Sequence, residues 1–363
     1  MPQARVTRIS MSAPDDVSGI EAAIAAGDIA PDRIRAIFGK TEGNGCVNDF
    51  TRAFAAQSLR LLLSRHLPTE DVARVALVMS GGTEGGLAPH FLVIEVLDGD
   101  AAATGGALAV GVHLTRPMQP EEIGRMSQLD AVAVGVRKAM AEAGIATPED
   151  VHFVQVKCPL LTAERIGEAL KRGASPRTTQ TLKSMGLSRG AASLGVAVAL
   201  GEVPVDAITE DAIGSDVSLF SGRASASAGV ELMANEIIVL GRSPRWSGPL
   251  RIDHAVMEDA LDIDPVCALL ERAGLFGRFR VADSERARVV AVLAKAESSS
   301  SGLLRGHRHT MLDDSDISPT RHARGFVAGA LGSVVGHGEI YVSGGAEHQG
   351  PDGGGPVAVI WHD

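Results

Sequence analysis

The order lysine, arginine, serine recurs three times along this chain, and nothing else in the sequence restricts its fold as tightly. Three strand-like runs, IRAIFGK, DVHFVQVK and RVVAVLAK, end at Lys40, Lys157 and Lys295. Three segments then carry the pattern Ser-x-Gly-x-Glu: Ser80–Glu84, Ser227–Glu231 and Ser343–Glu347. Each is followed by an apolar run (HFLVIEVL, NEIIVLG and PVAVIWH) that reads as a strand. Between lysine and serine, Arg52, Arg189 and Arg324 each open a small-residue stretch with helical character. Lysine and serine are separated by 40, 70 and 48 residues, so loop lengths differ while the order holds, as internal repeats do.

A further strand and helix precede each lysine run. Examples are ARVTRISM then DVSGIEAAIAAG, ALAVGVHLT then AVAVGVRKAMAEAGI, and LRIDHAVM then DPVCALLERAGL. Each repeat is therefore expected to run β-α-β-α-β-β. Turn formers at 101–106 and 241–248 mark the joints, giving units 1–104, 105–246 and 247–363. The fold class is α+β. Three such units pack most simply around a pseudo-threefold axis, where the repeated residues converge.

With 363 residues the chain is long for a single core, and 45% hydrophobic content leaves no doubt that it buries one. Only 3% of residues are aromatic, so the core must pack small side chains closely. A net charge of -10 without a basic run speaks against nucleic acid and against a polybasic membrane patch. Cys46, Cys158 and Cys267 form neither a metal knuckle nor a redox motif, which suits a reducing, cytoplasmic setting. No apolar run is long enough for a membrane span, and the N-terminus does not resemble a signal peptide.

A serine needs a base before it attacks, and a lysine can serve when burial and neighbouring positive charge lower its pKa. The glycine turn after each serine offers backbone N–H groups for a developing oxyanion. Arginine supplies fixed donors for carbonyl oxygens. Three copies of this set describe a site for a small flat ring with carbonyls pointing in three directions.

The segments GKTEGNGCVNDFTR (39–52), VMSGGTEG (78–85), FVQVKCPLLT (153–162), SASAGVE (225–231), RHTMLDDSDI (308–317) and YVSGGAEHQGPDGGGP (341–356) resemble the cyanuric acid amidohydrolase and barbiturase family over the whole chain. The resemblance implies the barrel-like three-repeat Toblerone fold, in a homotetramer, acting on a cyclic imide. In this family cyanuric acid is opened to carboxybiuret, which decarboxylates to biuret, in s-triazine degradation; barbituric acid opened to ureidomalonic acid is the alternative. It further implies Ser227 as nucleophile and Lys157 as its base. Ser80, Ser343, Lys40 and Lys295 would then bind the other ring edges. Arg52, Arg189 and Arg324 would grip the carbonyls, beside the amides of Gly81, Ala228 and Gly344. The resemblance also implies a structural Mg²⁺ or Ca²⁺ held by Glu297 with oxygens of Ala346, Gln349, Gly350, Pro351 and Gly354, and no organic cofactor.

Rivals to these assignments stand in the sequence itself. Nothing in it selects the second dyad. Ser225 lies two residues from Ser227, and only Ser227 places glutamate four positions on. Arg321 competes with Arg324, which shares an Arg-Gly pair with Arg189. Cys158 follows Lys157 on a strand and so should face the opposite side, in the core. Glu84, Glu231 and Glu347 are expected to orient lysines or arginines. The histidines at 307, 309, 322, 337 and 348 read as hydrogen-bonded or surface groups, and Asp313, Asp314 and Asp316 as a solvated turn. A non-catalytic binding protein on the same repeats is the alternative from another class; three intact lysine–serine sets weigh against it.

Overall fold

The computed structural model describes residues 1–99 and 105–363, so the expected joint at 104/105 falls at the edge of a stretch outside the described residues. The first sheet holds β1 (Pro2–Ser10), β2 (Ile34–Thr41), β3 (Ala76–Gly81) and β4 (His90–Asp98), with α1 (Ser18–Ala26), α2 (Phe50–Leu63) and the short α3 (Thr69–Val72) between strands. The second holds β5 (Ala107–Leu114), β6 (Val151–Pro159), β7 (Ala224–Gly229) and β8 (Glu236–Ser243), with α4 (Met126–Glu142), α5 (Ala163–Lys171) and α6 (Thr181–Ala199). The third holds β9 (Leu250–Met257) and β10 (Val289–Ala296), followed after a two-strand ribbon, β11 (Leu303–Leu304) and β12 (His307–Arg308), by β13 (Tyr341–Gly344) and β14 (Gly355–His362). Its helices are α7 (Asp264–Arg272) and α8 (Pro319–Val335).

All three sheets share one strand order: β1-β4-β2-β3, β5-β8-β6-β7 and β9-β14-β10-β13. In each, the last strand runs antiparallel to the first two, and the lysine strand pairs in parallel with the serine strand. A parallel pair needs a crossover, and the arginine helices α2, α6 and α8 supply it. The parallel register sets Lys40 beside Ser80, Lys157 beside Ser227 and Lys295 beside Ser343. One geometry thus places each lysine next to its serine, however long the intervening loops.

Strand alternation decides which way these side chains point. In the first sheet Ala36, Phe38, Ala76 and Val78 face a core shared with the other two sheets, while Ile37 and Leu77 face the helices α1 and α2. Lys40 and Ser80 have the parity of Phe38 and Val78, so they turn inward. In the third sheet Ala291, Leu293 and Tyr341 lie in the shared core and Val292 and Val342 under α7 and α8, which turns Lys295 and Ser343 inward as well. The shared core is built from Val, Ala, Leu and Ile of all three sheets, with Phe38 tilted against Tyr341 as a rare aromatic pair.

Helix ends carry ordinary local signals. Asp49 caps α2 by accepting from Thr51 N, Thr162 caps α5 through Arg165 N, and Gly27 and Gly336 close α1 and α8 in the left-handed region. The small-residue core permits very close layers. A Cβ placed on Gly111, in the middle of β5, would lie 1.9 Å from the Ala139 carbonyl oxygen of α4. Gly111→Ala must therefore push α4 off its sheet. Thermal or urea unfolding should show a loss of about 1–3 kcal/mol; an unchanged midpoint would contradict this close packing of α4 on β5.

Candidate active site

The inward-turned ends of the three sheets meet at one cavity of about 250 Å³, counting its mouth. Ser80, Ser227 and Ser343 line it together with Arg52, Arg189 and Arg324. Gly81, Ala228 and Gly344, the residues after the serines, line it too. Gly45, Met79 and Met185 complete the wall, and no periodicity in the sequence marks them. Lys40, Lys157 and Lys295 lie directly beneath, all essentially inaccessible to solvent.

The three sheets are tied together by the same groups, in a closed cycle. Arg52 of the first reaches the Ala228 carbonyl of the second, at 2.9 Å. Arg189 of the second holds Glu347 of the third through two bonds of 2.7 Å. Arg324 of the third holds Glu84 of the first, at 2.8 and 2.7 Å. Lysines run the opposite way round. Lys157 donates to Met79 O and Lys295 to Ala226 O, each at 2.9 Å, the carbonyl just before a serine of the preceding sheet. These carbonyls sit on edge strands and would otherwise lack partners.

Within each lysine–serine pair the contacts differ. Lys295 Nζ donates to Ser343 Oγ at 3.2 Å, and Lys40 Nζ to Ser80 Oγ at 3.4 Å. Lys157 instead forms an ion pair with Glu231 at 2.8 Å, and Ser227 Oγ contacts Ser343 Oγ at 3.1 Å. The expected Ser227–Lys157 pair is adjacent in register, but among the described residues the amine donates to Met79 O and forms its ion pair with Glu231 rather than meeting the hydroxyl. The carboxylate draws it aside. Such bonds often close only when substrate arrives.

Burial lowers the pKa of all three lysines. Lys40 is driven well down by burial and by Arg324, and Lys295 to about 7 by burial and Arg189. Lys157 is also lowered by burial, but Glu231 opposes the shift. The Lys295 value has a consequence for stability. Between about 7 and its ordinary 10.5 the unfolded chain holds a proton that the folded chain lacks, so this group makes stability rise with pH in that window. Lys295→Met should remove a slope of up to about 1.4 kcal/mol per pH unit. Unfolding curves from pH 7 to 10 test this; a constant difference between variant and wild type would contradict it.

The glutamates four positions after each serine divide unequally. Glu84 orients Arg324 and also Arg321, Glu347 orients Arg189, and Glu231 takes the lysine. Arg321 is more than a third exposed and is absent from the cavity wall, which separates it from Arg324. Ser225 is fully buried beneath the cavity, which separates it from Ser227. Cys158 points away from the cavity toward α6, where Ser188 meets its thiol, and burial pushes that thiol up to about 11. His348 bridges Leu219 O and Gly214 N, and Asp314 caps its own turn and meets His322. A His152–Asp253–His254 cluster joining β6 to β9 escaped the sequence reading; Arg242 and Arg272 already surround its carboxylate.

Glu297 follows β10 directly. Its carboxylate accepts from Ser298 N and lies near Thr320 Oγ1, and burial together with the negative charge of Glu347 raises its pKa. The glycine-rich loop from 345 to 354 passes close by, tied through Asp352 to Ser299 and Ser300. A half-buried carboxylate raised by a second one, beside a loop of carbonyls, fits a hard cation.

Serine hydroxyls backed by buried amines and faced by fixed guanidiniums are the equipment of a hydrolase. Residues 5–362 match the family described as amidohydrolase ring-opening protein. A cyanuric acid amidohydrolase of Azorhizobium caulinodans is 62% identical over 99% of this chain and 98% of its own length. One from Methylobacterium sp. (strain 4-46) is 59% identical over 99% and 97%. The crystal structure of the cyanuric acid hydrolase from A. caulinodans superposes with a TM-score of 0.92 at 61% identity, covering 100% of this chain and 99% of that one. A second solved cyanuric acid hydrolase gives 0.95 at 50% identity, with both chains fully covered. The chain belongs to the ring-opening amidohydrolase family and is an enzyme of that kind.

Proposed function

We propose that this enzyme opens cyanuric acid by attack of Ser227 on a ring carbonyl. The observation that carries the reading is the threefold convergence: three serines over three buried lysines, with three arginines, around one small cavity. That set complements a flat ring presenting three carbonyls. The names of the relatives point to the same substrate.

In this reading Lys157 takes the Ser227 proton as Oγ bonds to the ring carbon. Arginines and the backbone beside Ala228 stabilise the oxyanion. The ring C–N bond breaks, Lys157 returns the proton to the leaving nitrogen, and biuret remains attached to Ser227 through a carbamate. Water, deprotonated by the same amine, releases carboxybiuret, which loses CO₂ to give biuret. Ser80 and Ser343, with Lys40 and Lys295, polarise the other two carbonyls.

The same reading takes 1–104, 105–246 and 247–363 as repeats on a pseudo-threefold axis, the Toblerone arrangement. The common strand order and the closed cycle of inter-sheet bonds support it. It also takes a Mg²⁺ or Ca²⁺ at Glu297, with oxygens of Ala346, Gln349, Gly350, Pro351 and Gly354. Such an ion would neutralise the Glu297 carboxylate and brace the loop after Ser343. No helix among the described residues is long and apolar enough to cross a membrane. A cytoplasmic homotetramer completes the proposal.

Following the ultraviolet absorbance of cyanuric acid and barbituric acid separately with purified enzyme tests the substrate. Loss of the cyanuric acid signal is expected. Turnover of barbituric acid alone would replace the substrate, and turnover of neither would end the reading.

A further inference from the structure

We propose that Glu231, backed by Glu236, stores the proton that Lys157 must shed before it can act as a base, and that this carboxylate pair singles out the second dyad. The proposal rests on the preceding reading of Lys157 as the base for Ser227.

The three lysines share one register beside their serines, so register cannot distinguish them. Their surroundings can. Across the antiparallel ladder Lys40 faces His90 and Lys157 faces Glu236. In the third sheet that ladder ends at Ala294 and Val357, next to Pro356. Only the second lysine has a carboxylate as cross-strand neighbour. It is also the only one of the three with a glutamate in direct ion-pair contact among the described residues.

The cause lies in Arg52. Its counterparts Arg189 and Arg324 hold the glutamates Glu347 and Glu84. Arg52 is committed elsewhere, to the carbonyls of Ala228 and Cys46, with Asp49 at 3.8 Å. Glu231 is left for Lys157. Glu236 is anchored by Leu77 N at 3.2 Å, on the same first-sheet edge strand whose Met79 carbonyl receives the lysine. The charged and titratable groups acting on this cluster are Arg52 and Arg60 of α2, Arg165 of α5 and, from the other face of β6, Cys158.

The two carboxyls are pushed apart. Burial raises Glu236 to about 7, while Lys157 and Arg52 hold Glu231 down near 2 against its own burial. One is a fixed anion at rest, and the other can carry a proton at neutral pH. Glu231 also borders a second hollow, lined by Ala53, Gln57, Arg60 and Leu61 of α2, away from the ring cavity.

The step balances as a transfer within the ion pair. One N–H bond of the Lys157 ammonium breaks, an O–H bond forms on Glu231, and the two charges cancel. The freed lone pair then accepts the Ser227 proton. Glu231 keeps its proton while Lys157 passes the other to the leaving nitrogen and through the water step, and then returns it. Glu236, when protonated, removes a neighbouring negative charge and eases the ion pair into place. Glu231 is thus a positioning residue that acts through Lys157.

Steady-state kinetics on cyanuric acid from pH 5.5 to 10 test this. Glu231→Gln should lower kcat about 10²-fold or more across the range, with KM within a few-fold. If Glu231 were only an electrostatic neighbour, its loss would depress the lysine pKa. The acid limb would then move to lower pH with the plateau rate kept, and that result overturns the proposal. Glu231→Asp keeps the charge with a shorter reach; should the glutamine variant fail to fold, it must still lower kcat with KM preserved. Glu236→Gln should erase an ionisation near 7 from the profile; a profile retaining it overturns that residue's part. Lys157→Met reports on the underlying reading: if it stays active, that reading fails, whereas an inactive Lys157→Met beside a fully active Glu231→Gln defeats only the present inference.

Discussion

Ser227→Ala should lower kcat by about 10³-fold or more while the protein still folds and still binds the ring. The hydroxyl lies in the cavity wall and meets Ser343 Oγ at 3.1 Å. Ser343 keeps Lys295 when Ser227 is gone, so no buried donor is orphaned. A single oxygen is removed from a cavity rim, which costs about 1 kcal/mol or less. Calorimetric titration with cyanuric acid should therefore give nearly the wild-type affinity beside a lost rate. Ser225→Ala is the matched control. That hydroxyl is fully buried and has no partner among the described residues, so its loss should cost neither stability nor rate. Activity lost only at Ser225 would transfer the nucleophile's role to it, and full activity in Ser227→Ala would defeat the mechanism.

Lys157→Met should be the second severe lesion, and it should strike twice. Removing the amine removes the proposed base, with an expected loss of about 10²–10⁴-fold in kcat. It also leaves Glu231 as a largely buried carboxylate without its ion-pair partner. Breaking a buried pair from one side costs about 3–5 kcal/mol. The stability part should be recovered in the double variant Lys157→Met/Glu231→Gln, because neither residue is then charged. The rate should not be. Chemical unfolding of the two variants separates these effects; an undisturbed unfolding midpoint in Lys157→Met would show that Glu231 does not depend on the amine.

Much of this site could be read before any coordinates. The triplicated Lys-Arg-Ser order found the strands β2, β6 and β10, the crossover helices and the strands after each serine. Inward pointing follows from parity alone: Lys40 counts with Phe38, and Lys295 with Leu293. The family resemblance supplied the roles.

What the sequence withheld depends on contacts between sheets. Three copies of Ser-x-Gly-x-Glu look equivalent, yet Glu231 takes a lysine where Glu84 and Glu347 take arginines. That choice turns on the Arg52 side chain settling on Ala228 and Cys46 carbonyls, a long-range packing outcome with no local signature. Glu236 passes without remark inside the run NEIIVLG, and only the register with Lys157 gives it meaning. The helix α5 and the β11–β12 ribbon were missed because neither is repeated in the other units.

A crystal structure of the Ser227→Ala variant with cyanuric acid bound tests the central claim most directly. The account predicts one ring in the cavity where the three sheets meet, its carbonyls on the three arginines and one ring carbon nearest position 227. A ring bound elsewhere, or seated with its nearest carbon against Ser80 or Ser343, would contradict it.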